Sequence, residues 1–236
     1  MTEYCGLPLT VKEHPRAKRV LVKLVPGKGL EVVTPKRFPK KQVPAILAEK
    51  RNWIERMSTK LRADGIDLSG APAPLPDSIQ FLASDRHYDV GYVNRPGRIS
   101  VTENGARLMV SGPAGDTDGK IKALKRFTTR KAREFLLPRL DRMSRELSMP
   151  YEALRVRCQK TRWGSCSARG TISVNAKLLF LPLELVDHLL LHELCHTHHL
   201  NHSKTYWTLV ASHEPDFERL EYELQRGNRI VPPWFR

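Results

Sequence analysis

Residues 189–196 read Leu-Leu-Leu-His-Glu-Leu-Cys-His, and no other stretch constrains the fold so much. A helix over it is apolar on nearly every side except at His192, Glu193 and His196, so it has to be buried. Burying a carboxylate beside two imidazoles costs several kcal/mol unless each group is paired or bound to an ion. His192 and His196 are one helical turn apart, so both rings leave the same face and can reach one metal ion. Glu193 stands next to His192 around the helix, near enough to take a proton from a water at that ion without being a ligand. Pro182, followed by Glu184 and Asp187, marks the helix start, since proline suits the first turn and acids there favour the dipole.

A catalytic zinc wants three protein ligands and one open position. His202, six residues beyond His196, is the expected third. Residues 197–201 let the helix stop and the chain turn back, with Asn201 tolerating the left-handed backbone that such a stop commonly uses. Ser203 is expected to cap the next helix, and Tyr206, Trp207, Leu209 and Val210 to pack underneath. His188 lies on the same stripe, but three turns of a straight helix do not converge on one ion, so it is expected to pack or to support a ligand. His213 and Asp216 are candidate outer partners that orient a ligating ring, and His198 and His199 cover the surface. Cys195 faces away and reads as a small buried apolar residue. A closed structural zinc would leave Glu193 without a reason and would normally recruit cysteine, which favours catalysis.

Upstream, residues 16–34 read as a hairpin around Pro26-Gly27-Lys28-Gly29, and residues 41–63 as a basic amphipathic helix carrying Val43, Ile46, Leu47, Trp53, Ile54 and Met57. The Pro/Gly-rich stretch 65–76 is a connector. Strands follow around Ile79, Phe81, Tyr88, Val90 and Tyr92, then around Ile99, Val101, Leu108 and Val110, with Asn104-Gly105 as a hairpin turn. Residues 118–147 form a long helix with Pro138 as its expected kink. Hairpin and basic helix thus occur twice, without a shared residue pattern. Short strands are expected at 154–157 and 172–175. The fold class is α+β: an N-terminal β-rich basic module with one amphipathic helix at 1–116, and a metal-binding catalytic domain at 117–236.

The metal-site residues, together with 157–167 (Arg-Cys-Gln-Lys-Thr-Arg-Trp-Gly-Ser-Cys-Ser), Asn175 and 201–207 (Asn-His-Ser-Lys-Thr-Tyr-Trp), resemble the YgjP-like family of zinc metallopeptidases, relatives of the SprT-like proteases within the zincins. Residues 16–19 and 50–54 look like that family too, and the likeness is strongest over 155–216. Tyr206 stands where the family often has phenylalanine. The resemblance implies a zincin-like catalytic domain, Zn²⁺ held by His192, His196 and His202, and Glu193 as catalytic acid/base. It also makes 172–176 the candidate strand for aligning an extended peptide. Arg157, Lys160, Arg162, Asn175 and Tyr206 are the candidate substrate contacts.

Forty Lys and Arg against 25 Asp and Glu in 236 residues leave a net charge of +15, so anionic partners are expected by default. Cations flank the proposed metal site, at Arg155, Arg157, Lys160, Arg162, Arg169 and Lys177, and such groups stabilise transferring phosphoryl groups. A metal-dependent nucleotide pyrophosphatase or phosphodiester hydrolase is therefore the second reading. The YbeY-type endoribonucleases are similar in the spacing of three histidines, but generally have glycine where Glu193 stands. A nucleic-acid-binding protein with a structural zinc is the third. No stretch is apolar enough to cross a membrane, no leader is evident, and four scattered cysteines suit a reducing, cytoplasmic setting.

Overall fold

The computed structural model describes residues 2–63, 65–70 and 74–236, so residues 71–73 of the expected connector, like Asp64 beside it, lie outside the described residues. The chain divides into two compact units, at residues 1–74 and 75–236.

In the first unit, β1 (Glu3–Tyr4) and β2 (Leu7–Glu13) form one hairpin, and β3 (Leu21–Val25) and β4 (Gly29–Thr34) the expected second one. The sheet order is β1-β2-β4-β3, with β2 and β4 parallel and the outer pairs antiparallel. Gly29, at φ +79°, is required: a Cβ there would sit 2.5 Å from the carbonyl oxygen of Pro8. The expected helix is two, α1 (Val43–Glu49) and α2 (Arg51–Ala63), meeting at Lys50. Leu7, Leu30, Val32, Leu47, Ile54 and Leu68 close a core of their own.

The second unit opens with β5 (Ser78–Phe81), β6 (Arg86–Asn94), β7 (Ser100–Asn104) and β8 (Arg107–Gly112), in the order β5-β6-β8-β7. Again the central pair is parallel and the outer pairs antiparallel, so the two four-stranded sheets share one topology. The long helix α3 (Thr117–Glu146) follows, capped by Asp116, whose side chain accepts from the Gly119 amide at 2.8 Å. The division expected after residue 116 therefore falls about forty residues earlier. Phe81 and Tyr88 of the second sheet pack edge-on against Phe180 and Phe127, at centroid distances of 5.4 and 5.6 Å, which ties those strands to the elements that follow them.

A second sheet in this unit carries β9 (Ala153–Arg157), β10 (Gly164–Cys166) and β11 (Thr171–Asn175) in the order β10-β11-β9. Three helices complete it: α4 (Leu183–Cys195), α5 (Lys204–His213) and α6 (Phe217–Arg226). The leucines of α4 are buried except Leu183, as its composition requires, and Asp187 on its outer side pairs with Arg139 of α3. The architecture is α+β, as expected. Among the described residues no helix is long and apolar enough to cross a membrane.

Candidate metal centre

His192 lies in the last turn of α4, and His196 is its C-cap residue, still in right-handed helical backbone. Their ring centroids are 5.0 Å apart, and His202 stands 5.2 Å from the first and 4.7 Å from the second. The three rings each offer a nitrogen, and those atoms lie within 4.8 Å of one another. His192 Nε2 and His202 Nε2 are 3.2 Å apart. Two nitrogens bound tetrahedrally at 2.0–2.1 Å to one ion would be about 3.4 Å apart, so the donor set fits a zinc-sized dication. Among the described residues no cysteine joins this group.

Two of the three rings have a direct hold. His196 Nδ1 meets the carbonyl oxygen of His199 at 2.9 Å, which leaves Nε2 for the common point. Tyr206 stacks on His196 at 4.5 Å, and Trp207 stacks on His202 at 5.5 Å and on Phe217 at 5.3 Å. The turn between α4 and α5 is built differently from expectation: Asn201 is not left-handed, and its side chain accepts from the Ser203 amide at 3.2 Å. Ser203 occupies the N-cap position but bonds the Thr205 hydroxyl instead of a backbone amide.

Glu193 is buried, and its Oε2 has no hydrogen-bond partner. Burial first, and the charge of Glu221 second, push its carboxyl up to about 8. β10 runs beside it: a Cβ on Gly164 would lie 2.3 Å from Glu193 Oε1, so only glycine lets the strand pass so close. Burial and the nearby Glu193 together raise Cys166 to about 11.

The candidate substrate contacts separate into two groups. Arg157, Lys160 and Arg162 are exposed on the segment leading into β10. Asn175 is buried and fully engaged: its Nδ2 donates to the carbonyls of Gln159 and Arg162, both at 2.8 Å, and its Oδ1 accepts from the Lys177 amide. It pins that segment, and its side-chain amide is taken up within the protein. Tyr206 is likewise buried, its hydroxyl donating to the His192 carbonyl at 3.1 Å, so it braces the end of α4. Residues 172–176, the strand expected to align a peptide, do not form an edge. β11 is paired on both sides, antiparallel to β10 and parallel to β9, so the edge strand next to Glu193 is β10.

Two outer-partner expectations also move. Asp216 pairs with Arg219 and His213 is exposed, while the carboxylate facing the histidines belongs to Glu221 of α6. Its Oε2 is 3.1 Å from His188 Nε2 and 3.6 Å from His192 Nδ1, and these two rings hold it down near 2. His188 is buried, with its Nε2 against Glu221. Glu221 has no signature in the spacing of the histidines; its only signal is the amphipathic pattern of α6, which turns one face to the core.

Three imidazoles around one point beside a buried, unpaired carboxylate define a class, the metal-dependent hydrolases. The chain belongs to the YgjP-like family, a metallopeptidase domain whose profile matches residues 18–227. A non-enzymatic role with a purely structural zinc does not fit that membership. Among solved structures, the metallopeptidase zymogen abylysin of Pyrococcus abyssi is 25% identical over 36% of this chain and 87% of that chain, with a TM-score of 0.34. No curated protein matches the chain.

Proposed function

We propose that this chain is a zinc-dependent metallopeptidase in which His192, His196 and His202 hold the ion and Glu193 moves the proton. The observation that carries the reading is the unpaired Oε2 of buried Glu193 one residue from a convergent histidine. A bound zinc supplies Lewis acidity, acidifying a water and polarising the scissile carbonyl. Glu193 accepts the proton of the attacking water on its carboxylate and delivers it to the leaving amine. Burial of Glu193 keeps bulk water from its Oε2, so the proton taken in the first half of the reaction stays at the site for the second. β10, an edge strand, has backbone groups on its outer side to align an extended peptide, and Gly164 brings that edge against the carboxylate. Arg157, Lys160 and Arg162 meet acidic side chains of the substrate. The free thiols of Cys5, Cys158, Cys166 and Cys195 support a reducing, cytoplasmic setting.

The test compares zinc-loaded wild type with Glu193→Gln on a peptide library and on a panel of nucleoside triphosphates. Zinc content is expected to persist while peptide hydrolysis falls at least about 10²-fold. Equal turnover by both proteins would remove Glu193 from the mechanism. Turnover of the triphosphates alone would favour the phosphohydrolase reading, which the exposed cations of the same segment would serve.

A further inference from the structure

One carboxylate oxygen serves two histidines on successive turns of α4. Glu221 Oε2, arriving from α6, lies 3.1 Å from His188 Nε2 and 3.6 Å from His192 Nδ1. The His188 side chain is 0% exposed and that of His192 12%, against 27% for Glu221, so the carboxylate reaches inward from a wetter rim.

The two nitrogens of His192 face different ways. Nε2 points to His202 Nε2, towards the point that the three rings share. A neutral imidazole offers a lone pair on Nε2 only when its proton sits on Nδ1. That Nδ1 is buried and has no hydrogen-bond partner, and the acceptor in front of it is Glu221, just beyond hydrogen-bonding length. His196 has a backbone carbonyl behind its Nδ1 and His202 has the face of Trp207, so His192 is the ligand whose support carries a charge.

We propose that Glu221 is the positioning residue of the metal centre: it keeps the proton of His192 on Nδ1 and aims Nε2 at the ion, while His188 holds the carboxylate against swinging into solvent. The proposal rests on the reading of His192, His196 and His202 as the ligands. Carboxylates placed behind ligating histidines fix both tautomer and ring orientation, and their loss typically weakens metal binding by about 10–100-fold. A rival arrangement uses the same atoms. His188, His192 and Glu221 also bring three donors within 4.8 Å, and an ion there would take Nδ1 of His192 and make Glu221 a ligand.

The experiment uses the full chain and measures zinc affinity by competition with a chromophoric chelator, with the thermal midpoint of the zinc-free protein as a control for folding. Glu221→Gln should weaken zinc about 10–100-fold with the zinc-free midpoint little changed, and Glu221→Asp should fall between it and wild type. Unchanged affinity in Glu221→Gln would overturn the proposal and leave Glu221 as a tie between helices. His202→Ala is the companion. If it binds zinc as wild type does while Glu221→Gln does not, the rival site is the true one and the ligand reading fails with it. Should Glu221→Gln fail to fold, nitrogen–proton correlation of the imidazoles in zinc-loaded wild type answers the same question. A proton on Nδ1 of His192 is expected, and zinc on Nδ1 would overturn the proposal.

Discussion

Gly164 and Glu193 occupy space that only one of them can fill. With a Cβ at Gly164 2.3 Å from Oε1, Gly164→Ala must displace the carboxylate. A shift of about 1 Å at a reacting group can cost 10²-fold, so the variant should retain zinc and lose roughly that much peptide hydrolysis, and full activity would show that β10 does not set the position of Glu193. Glu193 also gives the metal-free protein a pH dependence of its own. Its folded value, about 8, lies above the 4.5 of an unperturbed carboxyl, so between those limits the folded chain retains a proton that the unfolded chain has released. Stability contributed by this group is then lost as pH rises through that window. Glu221, held low, is ionised in both states there, while His196 and His202, held below 6.5 mainly by burial, act in the opposite sense. Comparing wild type with Glu193→Gln in chelator isolates the carboxyl. The variant should gain in thermal midpoint relative to wild type from about pH 5 to pH 8, and a gap constant with pH would contradict the burial argument. At this scale the histidines were legible because helical spacing dictates which rings share a face. Glu221 was not, because it reaches that face from another helix.

Elements show where pattern reading stops. α4 was legible from Pro182 to His196, since proline marks its start and the run of leucines at 189–196, interrupted by three polar groups, has few other ways to fold. The Asn104-Gly105 hairpin was equally plain, with Gly105 at φ +59°. β10 was not: Gly-Ser-Cys is three residues with no alternation, and it becomes a strand by pairing with β11. That pairing leaves β11 flanked on both sides and makes β10 the edge strand. Asn175 looked like a contact residue in the sequence, yet at the end of β11 it ties the 159–162 segment through two carbonyls. Asn175→Ala strands those carbonyls and should cost about 1–3 kcal/mol in denaturant unfolding, with zinc affinity unchanged and KM raised more than kcat is lowered. A large fall in kcat at unchanged stability would instead put Asn175 against the substrate.

In the whole molecule, two sheets of identical strand order stand in separate units, and only the second is followed by the metal centre. The sequence hinted at this as hairpin and basic helix twice over, but the repetition lies in topology: the parallel pairs β2–β4 and β6–β8 join segments that no local pattern relates. β2 itself, with Leu7, Leu9 and Val11 alternating, lies outside the hairpin expected at 16–34 and pairs in parallel with its second strand. The +15 charge has no counterpart in the converging groups: Arg157, Lys160 and Arg162 are exposed, while the groups that converge are histidines and carboxylates. The central claim is that His192, His196 and His202 hold one zinc ion. X-ray absorption at the zinc edge of the loaded protein tests it directly: three nitrogen scatterers at about 2.0–2.1 Å with one further light atom are predicted, and a sulfur shell at about 2.3 Å would contradict it.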